Sequence, residues 1–204
     1  MHGAYLLPPA SLLDDVYDRA LILGSANEST AIIPPAKQMP LHLWYDNGDV
    51  LCVFSNRRID MSNRWTVTLF STSESAYRVC STFCDPCTNP QRDLRCATLA
   101  GSVAVIGTGR CIHIVEARKS GVDVGVDWKH HLLTFPSDVI DVCARGSLLL
   151  VGLRSGRIQS VVLSRKPRIG RSFSFQSSGA VTAIRIANHT EFVAAYTNGD
   201  VRSC

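Results

Sequence analysis

The stretch from Asp138 to Leu163 reads DVIDVCARGSLLLVGLRSGRIQSVVL, and its pattern decides the fold. It holds three apolar runs of strand length separated by two glycine-containing turns, in the order 138–144, Arg145-Gly146, 148–153, Ser155-Gly156 and 158–163. Such runs are typical of strands joined as hairpins. Because Leu148-Leu149-Leu150-Val151 is apolar on both faces of a strand, both faces must be covered. The stretch therefore predicts antiparallel strands inside a stack of sheets.

The same scheme recurs on both sides of this stretch. Further apolar runs of strand length lie at 41–45, 94–99, 103–107, 112–115, 180–187 and 192–196. The tetrapeptide Asn47-Gly48-Asp49-Val50 returns as Asn198-Gly199-Asp200-Val201, with looser copies at Gly109-Arg110 and Ser155-Gly156. Asn-Gly supplies the positive φ angles of a two-residue hairpin turn.

The repeats have a period. If Val50, Ile112, Ile158 and Val201 are equivalent, the spacings are 62, 46 and 43 residues. Arrays of antiparallel strands repeating about every 40–45 residues are typical of β-propeller blades. The sequence therefore predicts an all-β protein.

The repeats resemble WD40-type repeats in their order of strand, turn, strand, glycine-containing turn and strand. The Trp-Asp pair that closes such repeats is replaced by Val115-Glu116 and Val161-Val162, so the resemblance is to a divergent member. It implies β-propeller-type repeats with about four to five blades. Because such propellers commonly close with six or seven blades, we expect a partial, open propeller whose sheet edges allow self-association.

Residues 38–204 form the predicted WD40-like repeat region, and residues 1–37 form an N-terminal segment. Two interpretations of this segment stand. Ser11 and Asp14 with apolar residues at helical spacing, ending at Gly24, predict a short capped helix. Alternatively, residues 20–25 form a strand of a partial first blade.

Composition indicates a soluble protein of the cytoplasm or nucleus. The chain is 46% hydrophobic with a net charge of +4, and it has neither a stretch long enough to span a bilayer nor a secretory signal. The charge alone implies neither nucleic acid nor lipid as a partner. Four of the eight cysteines, Cys52, Cys96, Cys111 and Cys143, lie in apolar runs and are expected to be reduced.

Three cysteines, Cys80, Cys84 and Cys87, have a spacing that resembles the iron-sulfur motif of radical S-adenosylmethionine enzymes, and with Cys96 they could bind zinc. The favoured interpretation is a cysteine-bearing loop between blades, because the helices that such enzymes need are not predicted. His130 and His131 are adjacent in a predicted outer strand and point to opposite faces. With no enzyme motif present, we expect no catalysis and no cofactor.

The segment 165–171 is the strongest candidate binding site. It carries Arg165, Lys166, Arg168 and Arg171, and its proline and glycine predict an exposed loop outside the sheet. Such a loop suits an acidic protein, a phospholipid or RNA, and phosphorylation of Ser172 or Ser174 would cancel its charge. Residues Arg154, Arg157 and Arg185 would widen this basic surface if they share its face.

The resemblance implies a protein-protein interaction scaffold that works within a complex. Trp65, Trp128 and Arg168 are candidate anchor residues of the interface if they are exposed, because Trp, Tyr and Arg dominate binding energy in interfaces. Val115-Glu116-Ala117-Arg118 also resembles the Trp-Asp-x-Arg motif of substrate receptors of cullin-RING ubiquitin ligases. Three alternatives remain, namely a basic-loop binder of phospholipid or nucleic acid, a substrate receptor of such a ligase, and a metal or iron-sulfur enzyme.

Overall fold

The chain is described from a computed structural model that covers residues 42–46, 49–55, 65–73, 76–84, 94–119, 126–175, 179–188 and 191–204. Within these ranges the regular secondary structure consists of β-strands arranged in four antiparallel sheets. The N-terminal segment 1–37, and with it the choice between a helix and a partial blade, lies outside the described residues. The described ranges contain no helix long and apolar enough to cross a membrane.

Each sheet is a meander in which strands that follow one another in sequence are hydrogen-bonded neighbours. Blade 1 contains β1 (His42–Asp46), β2 (Asp49–Ser55), β3 (Trp65–Ser73) and β4 (Ala76–Cys84). Blade 2 contains β5 (Leu94–Ala100), β6 (Val103–Thr108), β7 (Cys111–Lys119) and β8 (Val126–Thr134). Blade 3 contains β9 (Val139–Arg145), β10 (Leu148–Leu153), β11 (Ile158–Val162) and β12 (Arg168–Phe173). Blade 4 contains β13 (Val181–Ile186), β14 (Phe192–Tyr196) and β15 (Val201–Ser203).

The blades stack face to face through three separate apolar layers. One layer lies between blades 1 and 2, a second between blades 2 and 3, and a third between blades 3 and 4. The first strands of successive blades are neighbours, since β5 packs against β9 and β9 against β13. The prediction of an all-β, propeller-type array of four to five blades is confirmed with four sheets, and these sheets do not close into a ring.

Strand β10 shows why its sequence is apolar at every position. Leu149 and Val151 point into the layer shared with blade 2, whereas Leu150 points into the layer shared with blade 4. All three side chains are buried. A strand between two packed faces requires this pattern, so the interpretation drawn from residues 148–151 is confirmed.

Two glycines in corresponding strands let neighbouring blades approach closely. A Cβ atom on Gly107 of β6 would lie 2.4 Å from Cys96 Sγ and 3.0 Å from Val139 Cγ1. A Cβ atom on Gly152 of β10 would lie 2.6 Å from Val181 Cγ1. Val139 and Val181 each begin the first strand of the following blade. The absence of a side chain therefore makes room for the next blade, a signal that the turn pattern did not reveal.

The hairpin turns differ from the predicted scheme. Gly109 sits in a two-residue turn and has a φ of 54°. The turns that contain Gly156 and Gly199 are one residue longer. Three residues lie between the hydrogen-bonded residues, which are Leu153 and Arg157 in one turn and Tyr196 and Asp200 in the other. The glycine is the last of the three, with a φ of 80° at Gly156 and 86° at Gly199. The expected two-residue Asn-Gly turn at Asn198-Gly199 is therefore wrong, because only the final position of this loop requires a positive φ.

The equivalence of the two Asn-Gly tetrapeptides is also wrong. Asn47-Gly48 connects the first and second strands of blade 1, whereas Asn198-Gly199 connects the second and third described strands of blade 4. In blade 1 the second and third strands are joined by residues 56–64, which lie outside the described residues. This shift explains why the first spacing of 62 residues exceeds the later spacings of 46 and 43.

Candidate functional site

The basic segment occupies both a turn and a strand. Arg165 and Lys166 lie in the turn after β11, and Arg168 and Arg171 lie in β12, the outer strand of blade 3. All four side chains are exposed, as predicted. The prediction that proline and glycine keep the segment out of the sheet is wrong. Pro167 directly precedes the strand, where the missing N–H interrupts no strand pairing.

Blade 3 accepts this segment through a bulge opposite Ser160. The pairing of β11 with β12 shifts between Gln159 and Val161. Gln159 Nε2 donates hydrogen bonds to the carbonyl oxygens of Gly170 at 2.8 Å and Arg171 at 2.9 Å. Ser160 Oγ donates to the Arg171 carbonyl at 3.1 Å. A Cβ on Gly170 would lie 2.7 Å from Ser160 Oγ, so glycine fits this bulge.

The four cations of the segment form no salt bridge in the described part of the chain. Most other described arginines are paired, such as Arg185 with Asp141 at 3.1 Å and Arg202 with Asp200 at 3.1 Å. Within the described residues β12 is hydrogen-bonded only to β11, so its other edge carries free backbone groups. The segment therefore offers unpaired positive charge beside an open strand edge. We call residues 165–171 the basic strip.

Two clefts border the basic strip. The first is an open groove lined by Val162, Ser164, Arg165, Lys166 and Arg168. The second, of ≈ 300 Å³, lies between blades 2 and 3. Its apolar lining includes Val103, Ile114 and Leu163, and its polar lining includes Glu116, His131 and Arg165. Arg165 thus borders both clefts.

The serines predicted as phosphorylation sites lie at the far end of this strand. Ser172 is within β12 and Ser174 directly follows it, and both are exposed. Their modification stays a prediction.

The arginines expected to widen the basic strip lie in other turns and strands. Arg154 and Arg157 lie in the turn between β10 and β11, at the opposite end of β11 from Arg165. Arg185 lies in β13 and pairs with Asp141. Arg154 instead joins Arg95 and Arg110 around Asp138, a cluster that the sequence analysis missed.

Two of the three closely spaced cysteines lie in a strand and not in the predicted interblade loop. Cys80 and Cys84 lie in β4, and Cys87 is outside the described residues. Burial, with a smaller effect of Asp141, raises the pKa of Cys96 to about 12, so this side chain is a thiol. The described residues contain no group of three or more metal-binding side chains.

Aromatic rings and imidazoles fill the layer between blades 1 and 2. Trp65 is fully buried, so it does not meet the condition of exposure set for an anchor residue. Its ring lies 5.0 Å from His113, edge to face, and stacks on Phe83 at 6.1 Å. Trp128 is half-buried and donates from Nε1 to Ser81 Oγ at 2.8 Å. Of the three candidate anchors, Arg168 is exposed.

Two histidines are paired within this layer. His113 Nδ1 lies 3.1 Å from His130 Nε2, and His113 Nε2 lies 3.1 Å from Thr108 Oγ1. His130 is in β8, the outer strand of blade 2, as the sequence predicted. Burial and, to a smaller extent, the neighbouring charge of His131 lower the pKa of His130. The pair is therefore suited to neutral imidazoles.

Because of the His113–His130 pair, we expect the protein to lose stability in acid. Because the folded-state pKa of His130 lies below the unfolded value of about 6.5, the unfolded chain binds the extra proton more readily. Stability should therefore be constant above this unfolded value and fall as the pH decreases through it. Urea unfolding midpoints between about pH 7.5 and pH 5.5 measure the effect.

His130→Gln should flatten this dependence, whereas His131→Gln should retain most of it, since burial is the larger cause. An unchanged slope in His130→Gln would contradict the assignment to His130.

The segment 115–118 lies in β7. Val115 and Ala117 are buried, and Arg118 Nη2 donates to Glu116 Oε2 at 2.8 Å. The resemblance of this segment to a ligase-receptor motif stays a prediction.

The fold is similar to that of solved structures. The computationally designed Ika4 protein matches with a TM-score of 0.56 at 12% identity, over 82% of this chain and 91% of Ika4. Sqt1 from Chaetomium thermophilum matches with a TM-score of 0.59 at 11% identity, over 76% of this chain and 39% of Sqt1. Sqt1 bound to the N-terminus of ribosomal protein L10 gives a TM-score of 0.56 at 10% identity, over 75% and 41% of the two chains.

These likenesses show the fold alone. No protein-family model matches the chain, and no curated protein matches it. The chain spans about two fifths of Sqt1.

Proposed function

We propose that the chain is a non-catalytic protein-interaction scaffold of the cytoplasm or nucleus, and that its basic strip binds an acidic, extended segment of a partner protein. The observation that carries the proposal is the set of four exposed cations without acidic partners in the described residues, placed beside the open edge of β12. Sqt1, which shares the fold, is known bound to the N-terminus of a ribosomal protein, and this supports a peptide as ligand.

The strand edge supplies the binding geometry. An extended peptide can add to β12 through backbone hydrogen bonds, and acidic side chains would then meet Arg168 and Arg171. The same charges disfavour pairing of β12 with β12 of a second copy, because like charges across strands are destabilising. The basic strip therefore selects an acidic strand over self-association at this edge.

The cleft beside Arg165 supplies a second contact. Its lining by Val103, Ile114 and Leu163 suits an apolar side chain of the bound segment. A ligand of alternating acidic and apolar residues would satisfy both surfaces, since alternate residues of a strand point to opposite sides.

Reversing the basic strip should remove this binding. We expect Arg165→Glu, Lys166→Glu, Arg168→Glu and Arg171→Glu together to weaken a labelled Glu-Val repeat peptide about tenfold or more, since each exposed ion pair contributes about 0.2–1 kcal/mol. Fluorescence anisotropy at several salt concentrations measures the affinity. Binding by the natural protein should weaken as salt rises.

A matched pair of variants separates position from net charge. Arg168→Glu with Arg171→Glu should weaken the peptide, whereas Arg157→Glu with Arg202→Glu, which makes the same charge change elsewhere, should not. Equal effects of the two pairs would contradict the proposed site. Tighter binding of single-stranded RNA or of anionic phospholipid vesicles than of the peptide would favour the alternative partners instead.

A further inference from the structure

Three arginines from blades 2 and 3 converge on one carboxylate. Arg95 Nη1 lies 3.0 Å from Asp138 Oδ2, and Arg154 Nε lies 3.3 Å from the same oxygen. Arg110 Nε lies 4.0 Å from Asp138 Oδ1. One carboxylate balances one guanidinium, so the cluster keeps an excess of two positive charges. The pairs Arg185–Asp141 and Arg202–Asp200 are each one-to-one and keep none.

Backbone hydrogen bonds hold the cluster in place. The segment from Phe135 to Asp138, which links blade 2 to blade 3, bonds to turns in both blades. Phe135 N–H donates to the Arg110 carbonyl at 2.8 Å, and Arg154 N–H donates to the Asp138 carbonyl at 2.8 Å. Ser155 N–H donates to Ser137 Oγ at 3.1 Å. The arginines therefore project from a fixed frame, which lowers the entropy cost of binding a ligand.

The guanidinium ends remain available to a ligand. Arg110 and Arg154 face Asp138 through Nε, and in the described part of the chain no acceptor is bonded to their Nη groups. Their side chains are 68% and 61% exposed, whereas that of Asp138 is 27% exposed. Asp138 is thus less exposed than either arginine, and each guanidinium keeps a pair of Nη donors. Paired guanidinium donors match the oxygens of phosphate and carboxylate groups.

From this geometry we propose that Arg95, Arg110 and Arg154, positioned by Asp138, form a binding site for a phosphate monoester. A phosphate monoester carries a charge of about −1.5 to −2 at neutral pH and three acceptor oxygens, which matches the excess charge and the donors. A ligand with a single carboxylate, which carries a charge of −1, would balance only half of the excess charge of the cluster. The site lies around the turn before β11, shares no residue with the basic strip and is independent of the function proposed above.

Isothermal titration calorimetry at constant ionic strength tests the site with inorganic phosphate, O-phosphoserine and a pentapeptide with a central phosphoserine. We expect saturable binding that weakens as the pH falls through the second phosphate pKa of about 6. Arg110→Gln with Arg154→Gln should weaken it at least about tenfold, since the double variant removes two charges and the paired N–H donors of two guanidinium groups. Arg202→Gln, the control for loss of one paired arginine, should leave it within about twofold.

Two comparisons make the result decisive. The single variant Arg110→Gln changes the most weakly paired of the three arginines, so it should reduce phosphate affinity while the unfolding temperature stays unchanged. A pentapeptide that binds more tightly than O-phosphoserine would identify a phosphorylated partner protein, and equal affinities would identify a small phosphorylated molecule. Absence of saturable binding, or full binding by the double variant, would show that the cluster only joins the two blades.

Discussion

Trp65→Ala is expected to lower the free energy of unfolding by about 3–5 kcal/mol, the usual cost of truncating a buried Trp to Ala. The Trp65 side chain is fully buried between blades 1 and 2, where it packs on Phe83 and on the edge of the His113 ring. The truncation would remove these contacts and leave a cavity beside the histidine pair. Urea unfolding followed by far-ultraviolet circular dichroism measures the change.

Two further tryptophan variants serve as controls. Trp65→Phe should cost less than Trp65→Ala, because a ring is retained and the buried indole Nε1, which has no hydrogen-bond partner in the described structure, is removed. Trp128→Ala should also cost less, since this side chain is half-buried. If Trp65→Ala changed stability by less than about 1 kcal/mol, blade 1 would not pack on blade 2 as described.

Gly152→Ala is expected to destabilise the protein by about 1–3 kcal/mol, the usual cost of overpacking a core. The new methyl group would lie 2.6 Å from Val181 Cγ1 and 2.8 Å from Ile184 Cδ1. Both neighbours are fully buried, so neither can move aside into solvent. The strain would separate blade 4 from blade 3, and thermal unfolding should detect it as a lower midpoint.

A second substitution tests the cause. Val181→Ala should recover part of the loss when combined with Gly152→Ala, although Val181→Ala alone is destabilising, because the two changes share one contact. Simple addition of the two losses would show that the cost of Gly152→Ala comes from elsewhere. Gly170→Ala is the matched control, because its new methyl group would meet the hydroxyl of Ser160 at an exposed strand edge.

The strands of blades 2 to 4 could largely be predicted from sequence, because local apolar runs and turn glycines determine them. The predicted bounds 148–153 and 192–196 are those of β10 and β14. Strand β12 was missed because its residues are basic and include a glycine. What places it in the sheet is the pairing with Gln159 and Ser160, which is a contact between separate segments.

The two candidate sites also differ in how far they could be predicted from the sequence. The basic strip is a run of neighbours in sequence and was visible there. The Asp138 cluster combines Arg95, Arg110 and Arg154, and Arg95 is 43 residues from Asp138, so only folding brings them together. The Gly107–Val139 and Gly152–Val181 approaches likewise join different blades. Patterns within one strand cannot reveal such contacts.

The separation of the apolar layers has a consequence for cooperativity. Each layer contains residues of two adjacent blades, so a blade is coupled directly to its neighbours and only indirectly to the rest. Unfolding of an outermost described blade removes one such coupling and leaves the others formed. Blade 3 has layers on both faces, and it carries the basic strip and Asp138. Both candidate sites therefore belong to the part of the array that opens last, and they can persist while its ends fray.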